Sequence, residues 1–345
     1  MKIGLVGYQG SGKSTLFELL TGHKPDLSKA HLGQVGVTTV PDERFHRLVQ
    51  FHKPKKETPA KIDLFDTPGL SRDDHSQNAS RLGVIREAAA LVQVIGVFNG
   101  VDPLAEARAF EDDMVLADLQ VVSNRVDRLK KDLTKPHAHA EKDELIAEQH
   151  ALETVVAALN DGKSLRQMMF TDLQEKFTKS FSLLTRKPKM VVLNTADSSF
   201  DTKPLSDLTT MGIKAIAGPV GLELEVALLS EADRELFAQE MGLGEPCRQK
   251  LLRAIFEITE QITFYTCDEK EVHAWLLRRG STALEAAGTI HTDLAHGFIR
   301  AEIMSTDDLL RLGSEREVKA HGLHRTEGKE YLVRDGDEIV IRFSV

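Results

Sequence analysis

The residues Lys2-Ile-Gly-Leu-Val6 are followed at once by Gly7-Tyr-Gln-Gly-Ser-Gly-Lys-Ser-Thr15 and then by the apolar stretch Leu16 to Leu20. A short buried strand, a glycine-rich turn and a helix start in that order constrain the chain more than any other feature in it. The glycines let the backbone curl so that successive N–H groups point inward, beside the positive end of the next helix, where they can hold phosphate oxygens. Gly7, Gln9, Gly10, Ser11, Gly12, Lys13, Ser14 and Thr15 are therefore read as a loop that binds the phosphates of a nucleoside triphosphate. Lys13 is expected to reach the β- and γ-phosphates and to act in catalysis, Ser14 to offer its hydroxyl to Mg2+, and Thr15 to lie near the α-phosphate.

A second strand supports this reading. Lys61-Ile-Asp-Leu-Phe-Asp66 runs into Thr67-Pro-Gly-Leu70, which places an acid at a strand end, where it can hold Mg2+ through water, and a glycine whose amide can sense the γ-phosphate. Asp66 is assigned to the metal, with Ser14, and Gly69 to catalysis. Ras-like GTPases carry a water-orienting glutamine after this glycine; here Leu70 cannot hydrogen-bond, so hydrolysis is expected to be slow or differently arranged. Farther on, Lys189-Met-Val-Val-Leu-Asn194 ends a strand, and Asn194, Thr195 and Asp197 occupy the spacing of a base-reading NKxD element with the lysine replaced by Thr195. An aspartate at that point accepts from a guanine edge, so Asp197 by itself favours GTP among the purine nucleotides.

Between these elements Leu119, Val122, Val126, Leu129 and Leu133 repeat at spacings of three and four, Pro136 breaks the run, and Leu145, Leu152, Val156 and Leu159 carry a return. The spacing predicts an antiparallel coiled-coil hairpin. His137 and His139 fall at its turn and are read as a solvated tip, with no third ligand nearby. Toward the end of the chain, Ile262–Cys267, Phe298–Ile303, Glu330–Arg334 and Glu338–Phe343 read as strands with Asp335-Gly-Asp337 as a hairpin turn, and Ala283–Ala287 and Asp307–Leu312 as covering helices. The expected fold class is α/β: a parallel P-loop nucleotide domain at 1–113 and 185–261, the helical insertion at 114–184, and a β-grasp-like module at 262–345.

A length of 345 residues leaves room for several such units. No apolar run approaches the roughly 20 residues that cross a bilayer, and the start of the chain is apolar for too few residues to be a signal peptide; a soluble, cytoplasmic protein without membrane association is expected. The formal charge of −9 argues against coating nucleic acid non-specifically, though a local basic patch could still meet RNA. The two cysteines, Cys247 and Cys267, have no metal-like spacing and are read as plain small side chains of a reduced compartment.

These motifs resemble the YchF/Obg-like ATPase family over nearly the whole chain. The resemblance is carried by the phosphate loop, Val35-Gly-Val-Thr-Thr-Val-Pro-Asp-Glu-Arg44, Lys53-Pro-Lys-Lys56, the Asp66 to Leu70 element, the coiled-coil insertion and Leu184-Thr-Arg-Lys-Pro188. In the C-terminal part, Glu271-Val-His-Ala-Trp275, Ala286-Ala-Gly-Thr-Ile-His291, Gly297-Phe-Ile-Arg-Ala-Glu302, Asp307-Asp-Leu309, Glu327-Gly-Lys329 and Asp335-Gly-Asp337 are similar to the family's TGS-type domain. The resemblance implies an ATPase, with adenine preferred over guanine, that associates with the ribosome or its RNA, and the family also lacks the catalytic glutamine. The sequence departs from the family's pattern at Gly10, where the family has asparagine, at Pro68, where it has alanine, and at Asp197, where it has glutamate. The threonine that would close over Mg2+ has Ser28 and Thr38 as candidates. Two functions follow: a slow ATPase or GTPase that acts as a ribosome-associated switch, and a nucleotide-binding scaffold with little turnover.

Overall fold

The computed structural model describes residues 1–29, 31–73, 77–242 and 245–344. The chain divides into two compact units, one made of 1–36 and 63–251, the other of 37–62 and 252–345.

The first unit is built on a sheet whose strands lie in the spatial order β2 (Gln34–Thr39), β4 (Lys61–Asp66), β1 (Lys2–Val6), β5 (Ala90–Gly96), β6 (Lys189–Asn194) and β7 (Lys214–Gly218). The pairs β1–β4, β1–β5, β5–β6 and β6–β7 are all parallel. Every residue of β5 and β6 is buried, as a parallel sheet covered on both faces requires of its central strands. Strand β1 leads directly into the loop, and the helix Lys13–Thr21 that follows ends on Gly22, at φ 70°, whose N–H caps the Glu18 carbonyl.

The expected hairpin is present within this unit. Asp102 accepts from the N–H groups of Leu104 and Ala105 and Pro103 occupies the first turn of Pro103–Asp132, a 30-residue helix. The helix His139–Asn160 returns over 22 residues. Leu119, Val122, Val126 and Leu129 pack with Leu145, Leu152, Val156 and Leu159, joined by Val115, Val155, Leu165 and Leu183. Arg125 clamps Glu148 across the pair with two hydrogen bonds of 2.7 Å. The tip histidines engage local groups: His137 meets the Asp132 carbonyl at 2.8 Å, and His139 meets Asp143 at 2.9 Å. No helix among the described residues is long and apolar enough to cross a membrane.

In the second unit the strands lie in the order β11 (Arg325–Glu327), β10 (Phe298–Ser305), β12 (Asp337–Phe343), β8 (Gln261–Cys267), β9 (Glu271–Arg278) and β3 (Lys56–Thr58). Antiparallel β8 and β9, the helix Ala283–Ile290 and a final β12 parallel to β8 make the β-grasp arrangement. Ile262, Phe264, Leu277, Ala283, Ala287, Phe298, Ala301 and Ile339 form its core. The stretch 42–58, read from sequence as part of the nucleotide domain, packs with these strands instead. Lys56 and Thr58 both bond Glu271, Arg44 bonds Asp335 at 2.9 Å, and Tyr265 donates its hydroxyl to Asp42. Glu330–Arg334 is not a strand of a hairpin with β12. Tyr331 and Val333 bond backbone groups of Ala283 and Ser281, so this stretch is tied to the start of the helix, and only Leu332 bridges, to Thr282. Strands β9 and β11 are further strands, absent from the expected set.

At the base of the hairpin Asp118 is fully buried and accepts four hydrogen bonds: from Arg86 at 2.6 Å, from the Leu184 N–H at 3.1 Å, and from the N–H and hydroxyl of Thr185, both at 2.8 Å. Removing a buried, fully satisfied carboxylate strands a guanidinium and two amides. Asp118→Ala should therefore cost about 3–5 kcal/mol in urea denaturation, whereas a cost below about 1 kcal/mol would show that the network is not needed to seat the hairpin.

Candidate functional site

The phosphate loop has the backbone its glycines permit. Gly7, Gly10 and Gly12 lie at φ 138°, 77° and 93°, conformations that residues with a Cβ avoid. Close approach adds a second constraint at two of them. A Cβ on Gly7 would stand 2.5 Å from the Val94 carbonyl, and one on Gly12 would stand 2.1 Å from the Asn194 amide.

Lys13 is 7% exposed, and its ammonium donates to the Tyr8 carbonyl at 2.7 Å, so it lies folded over its own loop. Burial pulls its pKa down to about 8, with Asp66 and Glu106 opposing the shift. Ser14 donates its hydroxyl to Asp66 Oδ2 at 2.9 Å. Burial raises the pKa of Asp66, while Ser14 and Lys13 act against that rise. Two buried oxygens here, Ser11 Oγ and Asp66 Oδ1, have no hydrogen-bond partner. Orphaned buried oxygens are uncommon in native folds and mark places where a ligand completes the bonding. Ser14 and Asp66 form a hard-oxygen pair of the kind Mg2+ takes together with phosphate and water.

The Asp66–Leu70 element lies against the loop. Leu70 donates its N–H to the Gly7 carbonyl at 3.1 Å and accepts from the Gln9 N–H at 2.9 Å. Gly69 is tight against the lysine, since a Cβ there would be 2.9 Å from Lys13 Nζ and 3.1 Å from the Gln9 nitrogen. Leu70 itself is fully buried, packed with Tyr8, Leu82, Ile85 and Phe110. Its side chain faces the core.

The base-side elements divide. Asn194 is buried and braces the loop: its amide donates to the Ser11 carbonyl and accepts from the Val220 N–H, both at 3.2 Å. Thr195 donates its hydroxyl to the Asp197 carbonyl at 2.7 Å. Asp197 is exposed, and its Oδ1 already accepts from the N–H and hydroxyl of Ser199 at 2.8 and 2.6 Å, which holds its pKa below the ordinary value. A cavity of about 290 Å³ lies beside them, lined among others by Thr195, Asp197, Phe200, Pro219 and Lys250. Ser28, a candidate for closing over Mg2+, gives its hydroxyl to Asp26, and Thr38 lies buried in β2.

Sequence reasoning missed several residues that shape this site. Asn99 donates to the Gly10 carbonyl at 3.1 Å, and Arg81 donates to the Gly69 carbonyl at 2.9 Å. Arg72 bonds Glu106 and stacks over Tyr8, whose hydroxyl bonds Asp113. None of them sits in a motif, and only the fold brings them to the loop.

Comparison with known proteins agrees over both units. A family profile described as a 50S ribosome-binding GTPase matches residues 2–131. The profile of the YchF-GTPase C-terminal domain, described as a protein of unknown function, matches residues 261–344. The ribosome-binding ATPase YchF of Bacillus subtilis is 32% identical over 99% of this chain and 99% of its own length. Obg-like ATPase 1 of Oryza sativa subsp. japonica is 32% identical over 100% of this chain and 92% of its own. The solved structure of the Schizosaccharomyces pombe YchF GTPase superposes with a TM-score of 0.82 at 26% identity, covering 99% of this chain and 97% of that one.

Asn194 supplies a test of how the loop is held. Asn194→Ala leaves the Ser11 carbonyl and the Val220 N–H without this partner, and each buried group so stranded costs about 1–3 kcal/mol. Thermal denaturation of the nucleotide-free protein should register a loss of that size, and an unchanged midpoint would mean the loop holds its shape alone.

Proposed function

Because the chain belongs to the YchF/Obg-like ATPase family, we propose that it binds ATP in preference to GTP at the Gly7–Thr15 loop, hydrolyses it slowly, and acts as a nucleotide-controlled factor on the ribosome. The observation that carries the reading is the loop itself. A buried lysine is turned back on its own carbonyl beside two buried oxygens without partners, an arrangement that a triphosphate and its cation complete.

The inward N–H groups of the loop bind the phosphate oxygens, and Lys13 swings from the Tyr8 carbonyl to the β- and γ-phosphates, where its charge opposes the charge that grows as the phosphoryl group leaves. Ser14 and Asp66 would hold Mg2+, which when bound would neutralise phosphate charge. Gly69 places its backbone against the Lys13 tip, so its amide is positioned to report whether the γ-phosphate is present. Leu70, turned into the core, supplies nothing to orient water, which supports slow turnover. At the base, the prior bonding of Asp197 Oδ1 to Ser199 leaves it poorly disposed to grip the two donors of a guanine edge, which supports adenine. Relatives that include ribosome-binding ATPases support the ribosome as partner.

Titrating nucleotide-free protein calorimetrically with ATP and with GTP, each with Mg2+, and then following phosphate release with and without ribosomes tests the reading. Tighter ATP binding and ribosome-stimulated release are expected. Tighter GTP binding would return base selection to Asp197, and binding without release would favour the scaffold. Lys13→Ala should weaken ATP at least about 100-fold, the scale of a lost charge-assisted contact of roughly 3 kcal/mol, and equal affinity would remove Lys13 from the site. Leu70→Gln should not accelerate phosphate release. It places an amide among Tyr8, Leu82 and Phe110 and should cost about 1–3 kcal/mol of stability; faster turnover in that variant would contradict the inward orientation.

A further inference from the structure

The second unit brings three ligand-type side chains from three elements onto one face of its sheet. Tyr265 and Cys267 stand two residues apart on β8 and so share a face, and Glu338 is the direct partner of Tyr265 across the parallel pairing with β12. The helix Glu43–His52 is tied to that face at its start, where Asp42 takes the Tyr265 hydroxyl, and its last residue is His52. The Cys267 sulfur, a ring nitrogen of His52 and a carboxylate oxygen of Glu338 all lie within 4.8 Å of one another.

Hydrogen bonding within the protein accounts for only part of this cluster: the Cys267 thiol is within hydrogen-bond reach of the Glu338 carboxylate, and two buried atoms remain. Glu338 is 2% exposed and its Oε2 has no hydrogen-bond partner, and Nε2 of His52 is buried and unpartnered as well. The two atoms face each other at 3.8 Å, too long for a hydrogen bond. The separation is close to the roughly 3.5 Å edge of a tetrahedron whose centre lies about 2.1–2.3 Å from its corners, the zinc–ligand distance. The Cys267 thiol is held well above its ordinary range, first by burial and then by the carboxylate of Glu338. A thiol, a carboxylate oxygen and an imidazole lone pair turned toward one poorly hydrated point are what a cation organises.

We propose that His52, Cys267 and Glu338 form a zinc-class metal site, with water as fourth ligand, that fastens the C-terminal end of the helix Glu43–His52 to the β-grasp sheet. One thiolate and one carboxylate balance the charge of Zn2+ while the imidazole stays neutral. Mg2+ and Ca2+ take oxygen ligands and are disfavoured by the sulfur and nitrogen. On binding, the Cys267 S–H bond breaks, a sulfur–zinc bond forms and the proton leaves to solvent. Nothing in the spacing along the chain points to this site, because the three positions are far apart and Cys267 has no partner at motif spacing.

Full-length protein, reduced, freed of metal by a chelator and free of nucleotide, should bind one equivalent of Zn2+ in calorimetry and melt at a higher temperature with it. Co2+ should give the visible bands of a tetrahedral site with a sulfur-to-cobalt charge-transfer band. Cys267→Ser should abolish that band, and both Cys267→Ser and Glu338→Gln should weaken Zn2+ by more than the roughly 10–100-fold lost with a mere outer-shell partner. Cys247→Ser, which alters the other thiol, should leave the cobalt spectrum intact, so the assignment survives even if Cys267→Ser folds poorly. Absence of a charge-transfer band in the wild-type protein, or a band that persists in Cys267→Ser, would overturn the site.

Discussion

The phosphate loop can exist only because glycine stands at three of its positions, and the surroundings of the site are built against that bare backbone. Gly7 lets the Val94 carbonyl come close, Gly12 admits the Asn194 amide, and Gly69 allows the Asp66–Leu70 element to touch the tip of Lys13. Each contact comes from the carboxyl end of a different parallel strand, β5, β6 and β4, which lie beside or near β1 in the sheet order. An open parallel sheet concentrates its ligand chemistry at those ends. The absence of side chains at Gly7 and Gly12 thereby fixes how closely β5 and β6 approach the loop, and the same absence at Gly69 fixes the approach of the element after β4.

That crowding has an electrostatic consequence. Lys13 and Asp66 are both buried, and burial works against the charged form of each, lowering the pKa of the lysine and raising that of the aspartate. Left to themselves they compensate one another only in part, because the ammonium bonds the Tyr8 carbonyl and the carboxylate bonds Ser14. A polyanion bound with a divalent cation supplies what each lacks. The same close packing turns the Leu70 side chain into the core.

The second unit is organised by different physics. Its β-grasp core is apolar, and the stretch 42–58 is fastened to it by polar pairs, Tyr265 with Asp42, Arg44 with Asp335, and Lys56 and Thr58 with Glu271. The cluster of His52, Cys267 and Glu338 lies on the same seam. A seam made of partly buried polar groups gains stability only if each group is satisfied, and a metal there would satisfy the ones that remain.

Local pattern was enough for much of this. The strand, glycine turn and helix at the start of the chain, the acid ending β4, the asparagine ending β6 and the two long apolar repeats of the hairpin are each set by a few consecutive residues, because backbone torsion and helical periodicity are short-range properties. The sequence by itself therefore determined the phosphate loop, the parallel nucleotide-type sheet and the inserted hairpin. Tertiary structure alone decided that 42–58 packs with the C-terminal strands, that Glu330–Arg334 joins the start of a helix, that Asn194 braces the loop, and that Arg81 and Asn99 close around it. It also decided that His52, Cys267 and Glu338 meet. These outcomes depend on pairings between residues far apart in the chain, whose identity is fixed by which surfaces bury each other and which polar groups are left to satisfy, and neither can be read from spacing along the chain.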